Sequence, residues 1–94
     1  MLWRSIKTYG TPRPKKLVIV TVEDANGDRY IDFDIRFIDA KTMKENHYKD
    51  EFIAQHPNGI WEWAYEMGAD YWEQYDGNVI AWADPQTITP YLED

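Results

Sequence analysis

The chain has 94 residues, no cysteine and a net charge of -7, with 44% apolar and 16% aromatic side chains. A chain of this length supports one small core that buries roughly 60 to 65% of the unfolded surface, so residues 1–94 read as a single domain, and the supply of core formers excludes intrinsic disorder in spite of the charge. Without cysteine there is no disulfide framework or thiolate metal site, and with no run of about 20 apolar residues and no apolar stretch of a signal peptide, the expectation is a cytoplasmic protein with no membrane partner.

Residues 1–16 read as an extended basic lead-in: Gly10, Pro12 and Pro14 break any helix, and Arg4, Lys7, Arg13, Lys15 and Lys16 occur without an acid. The β-branched run at 17–23 suits an interior strand. Residues 29–38 alternate, which places Ile31, Phe33, Ile35 and Phe37 on one face and Tyr30, Asp32, Asp34 and Arg36 on the other. Between the two strands, Asn26-Gly27 tolerates the positive φ of a tight hairpin turn.

Residues 41–55 contain helix formers and neither Gly nor Pro, with Met43, His47 or Tyr48, Phe52 and Ala54 or Gln55 along an apolar face, and the sequence His56-Pro57-Asn58-Gly59 ends them. The stretch from Ile60 to Gly77 has two readings. As a helix it would align Glu62, Glu66, Asp70 and Glu73 in an acidic row with steps of about 6 Å. As a strand over 60–66 it would put Trp61, Trp63 and Tyr65 on one face with Glu62 and Glu66 opposite, and the alternation, the aromatic content and Gly68 favour the strand. A last strand at 78–83 contains Val79, Ile80 and Trp82, and Asp84-Pro85 ends it. The expected fold is α+β, a small twisted antiparallel sheet of about four strands (17–23, 29–38, 60–66, 78–83) with one helix near 41–55.

Charge is segregated along the chain. All ten bases lie at or before Lys49 in the company of seven acids, and the 45 residues after it hold ten acids and no base. Folding turns this either into two electrostatically distinct surfaces or into a basic tail that lies back on the acidic half.

No constellation of catalysis is present. Asp24, Asn26 and Asp28 begin like a calcium loop, but Arg29 and Ile35 stand where that loop needs Gly and a bidentate Glu, so a turn explains them. Asp32 and Asp34 read as a solvated sheet face beside Arg36. His47 and His56 lack the HExxH spacing, the single serine lacks GxSxG, and there is neither GxxxxGK nor GxGxxG. The expectation is a non-enzyme without cofactor or metal.

Trp3-Arg4-Ser5-Ile6-Lys7, the prolines at 12 and 14, the segment from Lys15 to Asp24, the Asn-Gly hairpin and Asn78-Val79-Ile80-Ala81-Trp82 together resemble a family of small domain-of-unknown-function proteins among phage and prophage accessory genes. Those proteins open on Trp-x-Ser-Val-Lys and close on Val-Ile-Ala-Trp or Thr-His-Trp before Met-Pro-Leu-Pro. The resemblance spans both ends and the first hairpin. It departs at "ADPQTITPYLED" and at residues 40–70, which look like an insertion. It implies a small antiparallel sheet and a viral or prophage origin, and it brings no catalytic residues. Trp3 and Trp82 then make sense as aromatic plugs at strand ends.

Two functional readings follow. One is a small acidic phage protein that inhibits a host defence or nucleic-acid-handling protein, anti-CRISPR-like, with Glu62, Glu66, Asp70, Tyr71, Trp72, Glu73, Tyr75 and Asp76 as the partner-binding residues. Carboxylates spaced like phosphates fit a host protein's basic nucleic-acid-binding groove, and Tyr and Trp add anchor area. The other is a phage accessory or structural interaction module whose aromatics are mostly core. Direct binding of nucleic acid through the basic lead-in is opposed by the net charge.

Overall fold

A computed structural model describes residues 2–64 and 72–85, and the structural statements below concern those residues. In chain order the elements are β1 (Arg4–Ser5), α1 (Ile6–Tyr9), β2 (Leu17–Glu23), β3 (Arg29–Ile38), α2 (Ala40–Glu45), α3 (Asp50–Gln55), β4 (Ile60–Ala64), β5 (Trp72–Gln74) and β6 (Val79–Ala83). All strand pairs are antiparallel, in the spatial order β1-β6-β2-β3-β4-β5.

This corrects the four-strand, one-helix expectation, since the described residues form six strands and three short helices. The two added strands have two and three residues. Segments that short carry no period of their own and exist only because β6 and β4 offer them an edge. The lead-in is accordingly not all irregular. Arg4 pairs with Trp82 and Ser5 with Ala81, after which the Ser5 hydroxyl caps α1 by accepting from the Thr8 N–H at 3.2 Å. The tail also reaches the acidic half, where Lys16 meets Asp84 at 2.8 Å.

The single helix near 41–55 divides at its middle. His47 takes a φ of 66°. Its N–H donates to the Lys44 carbonyl at 3.2 Å, and the Tyr48 N–H donates to the Met43 carbonyl at 3.0 Å. These two bonds are the Schellman ending of a helix, with Tyr48 packed near Met43 as that motif favours and with histidine where glycine is usual. Tyr48 is thereby turned onto the sheet.

The β2–β3 hairpin stands as expected. Gly27 takes the positive φ of 83°, and the Asp24 carboxylate accepts from the N–H groups of Asn26 at 2.9 Å and Asp28 at 3.0 Å. The unbroken alternation of β3 does not stand. Val18 faces Ile35 whereas Val20 faces Asp32, so one extra residue is inserted in β3, and Asp34 has a φ of 58°. Because side chains alternate with period two, one inserted residue exchanges the faces. Asp32 joins the Val18 and Val20 side, Arg36 lies on the opposite side from Asp32, and Ile31 and Phe33 remain 48% and 58% exposed while Ile35 and Phe37 are buried.

Four residues connect β5 to β6. Their extended reach is about 17 Å, less than the roughly 19 Å across the four strand spacings that separate β5 from β6 in a flat sheet. The sheet therefore rolls, helped by the bulges in the β2–β3 and β2–β6 pairings. Val18, Val20, Val22, Ile35 and Trp82 fill its inner face, with Ile6, Trp61, Tyr75 and Val79 packed against them. The outer face is covered at one end by the helices, where Ile38, Met43 and Ile60 are joined by Ala40, Tyr48, Phe52 and Ile53.

Candidate functional site

The predicted partner-binding residues separate into three groups. Glu66, Asp70 and Tyr71 lie outside the described residues, as do Tyr65 and the 65–66 end of the predicted strand. Glu62 and Trp72 belong to the helix-covered outer face. Glu73, Tyr75 and Asp76 lie elsewhere, around the rim of the inner face.

Glu62 corrects its assignment to an open partner-binding surface, because it is 1% exposed. Its pairing with Arg36 across β3 and β4 puts both side chains on one face. The Arg36 Nε donates to Glu62 Oε1 at 2.9 Å, and the Tyr48 hydroxyl donates to Oε2. Trp72 lies over the guanidinium at 3.7 Å from its ring centroid. A buried carboxylate needs this satisfaction, since leaving it unpaired would cost several kcal/mol. The network borders an open cleft of about 530 Å³ that Lys15, Asn46 and His47 also line.

On the rim of the inner face, register assembles a different set. Trp63 pairs with both Ile35 and Glu73, and Val22 and Val20 pair with Tyr30 and Asp32. Cross-strand partners share a face, so Tyr30, Asp32, Trp63 and Glu73 all project to the Val20 side. The Tyr75 hydroxyl donates to Asp32 Oδ2, and Asp76 follows, exposed. Among the described residues of β3, β4 and β5, no Lys or Arg takes a paired position on this face. The sequence reading missed Tyr30, Asp32 and Trp63. An available signal was the Asp-Phe-Asp run inside a predicted strand, since aspartate is depleted from strands and marks a bulge more readily than a regular ladder.

Burial, and then hydrogen bonding to Glu62 and Asp32 respectively, raise the phenol pKa values of Tyr48 and Tyr75 above the usual 10.0. For an acid whose folded pKa is raised, the stabilisation is complete below its unfolded pKa and is lost as pH rises toward the folded one. Stability is therefore expected to fall as pH climbs above 10 and the unfolded phenols ionise first. Urea unfolding at successive pH values should show a shallower alkaline loss for Tyr48→Phe and Tyr75→Phe than for the wild type.

Among the described residues no group of His, Cys, Asp and Glu could hold a metal ion, and no helix is long and apolar enough to cross a membrane. No protein-family model, no curated protein and no solved structure matches the chain.

Proposed function

We propose that the chain is a non-enzymatic binding protein that presents its acidic, aromatic inner-face rim to a host protein with a basic nucleic-acid-binding groove, as a small phage-encoded, anti-CRISPR-like inhibitor. The observation that carries the binding reading is the gathering of Asp32 and Glu73 with Tyr30, Trp63 and Tyr75 on one face, with Asp76 exposed next in the chain and no Lys or Arg paired on that face among the described residues of β3, β4 and β5. Carboxylates in such a row attract a groove built for phosphates and speed encounter, and the rings supply anchor area. The phage assignment rests on the resemblance of the chain's two ends and first hairpin to phage accessory proteins.

The accessory-module reading draws on a separate observation. Trp72 is engaged by Arg36 and Tyr75 by Asp32 within the chain itself, which is how structural aromatics behave.

The double variant Glu73→Lys and Asp76→Lys separates the readings. Neither side chain is buried, so the fold should persist with a change of less than about 0.5 kcal/mol. Under the binding reading, affinity capture from host extract at low salt retains nucleic-acid-handling proteins, added DNA or RNA displaces them, and the variant or high salt abolishes capture. Capture that is indifferent to charge reversal would leave the accessory module as the function.

A further inference from the structure

The cleft beside Arg36 is lined by two side chains that stand where a turn or a helix ending favours glycine. Lys15 and His47 both hold left-handed backbone, with φ of 68° and 66°. Each occupies a glycine position of a standard turn. Pro14 and Lys15 are the central residues of a turn closed by the Lys16 N–H on the Arg13 carbonyl at 3.4 Å, with Pro first and positive φ second, the type II pattern that selects Gly or Asn at the second place. His47 stands at the Schellman position that selects Gly. A side chain in left-handed backbone costs roughly 1–2 kcal/mol, and both of these side chains line the same cleft.

Neither the Lys15 ammonium nor the His47 imidazole has a hydrogen-bond or ion-pair partner among the described residues. Arg36 is held rigidly by Glu62 on its Nε and by the Trp72 ring on its plane, which leaves its two Nη groups without a partner among the described residues. A guanidinium fixed in this way presents a planar fork that matches an oxyanion, and a lysine adds a point charge. Glu62 is already satisfied by Arg36 and Tyr48, so among the described residues that line the cleft Lys15 is a positive charge without a counter-charge, inside a chain of net charge -7. The volume of about 530 Å³ exceeds what a simple ion needs and lies within the range of small-molecule sites.

We propose that this cleft binds a small molecule through a phosphate or carboxylate group, seated between Lys15, His47 and the Nη edge of Arg36. It lies on the outer face and does not depend on the acidic rim being a contact surface.

The test is an amide and indole NMR titration of the full chain with inorganic phosphate, adenosine monophosphate and citrate, each against sodium chloride at matched ionic strength. Saturable shifts confined to Asn46, His47, Tyr48 and the Trp72 indole are the expected result. Response to the two phosphates alone assigns the recognised group to phosphate, and response to citrate alone assigns it to carboxylates. Lys15→Gly and His47→Gly give the decisive comparison, because glycine relieves the backbone at both positions. Each should melt at or above the wild-type temperature and yet bind about tenfold more weakly, the size of one lost charge-assisted hydrogen bond. No saturable response to any of the three probes, or glycine variants that bind as tightly as wild type, would overturn the proposal.

Discussion

Glu62→Ala is expected to destabilise the fold by about 3 kcal/mol, which is a large share of the ~5–14 kcal/mol available to a chain of this size. The carboxylate is 1% exposed, and it is the acceptor for both the Arg36 Nε and the Tyr48 hydroxyl. Its removal leaves a guanidinium with 15% side-chain exposure and a half-buried phenol without their acceptor. Replacing Arg36 by Met together with Glu62 by Leu should recover most of the loss, because a buried ion pair contributes little more than apolar residues of similar volume. Urea unfolding of the two variants checks both statements. A solvated Glu62, as in an acidic row, would instead give a change within about 0.5 kcal/mol.

Gly59→Ala is the second large effect, at about 2–4 kcal/mol. Gly59 has a φ of 91°, and a β-carbon built there would sit 2.5 Å from the Ile38 carbonyl oxygen and would clash with the Phe37 ring. Backbone strain and overpacking therefore act together. Gly27→Ala is the control. It shares a positive φ of 83° but meets nothing within 4 Å, so it should lose only the conformational part, about 1–2 kcal/mol. Denaturation midpoints that fall equally for the two variants would mean that the close approach of Gly59 to β3 is not a packing constraint. The site gives this a consequence for function. Gly59 leads into β4, which pairs Ile60 with Ile38 and Glu62 with Arg36, so loosening that entry should also loosen the Arg36–Glu62–Trp72 network.

The candidate sites were legible in part. Glu73, Tyr75 and Asp76 were singled out by the absence of bases after Lys49; in the fold Glu73 pairs with Trp63, the Tyr75 hydroxyl reaches Asp32, and Asp76 is exposed. Glu62 was grouped with them on the same pattern and is instead buried. A sequence pattern gives the face of a strand but does not say which face is open to water, and here the helices α2 and α3 cover the Glu62 side. Trp72, too, reads as an anchor in the sequence and is a stacking partner for Arg36 in the fold. Neither Lys15 nor His47 stood out, because left-handed backbone is uncommon for any residue other than glycine and is set here by the turn and the helix ending around them.

By itself, the sequence determined that the chain is rich in core formers, that Asp24 to Asp28 turn a hairpin between two strands, that strands form near 60 and near 79, and that acid and base are segregated along the chain. These are local or compositional properties, fixed by turn chemistry and by runs of β-branched and aromatic residues. Tertiary structure decided the rest. It recruited β1 and β5 by offering edges to segments too short to form alone. It ended α2 at His47 so that Tyr48 could reach Glu62, and it placed one extra residue at Asp34, which exchanged the faces of β3 and brought Asp32 to Tyr75. Each of these depends on a partner distant in sequence, and the energy of a contact between distant residues is absent from any local pattern.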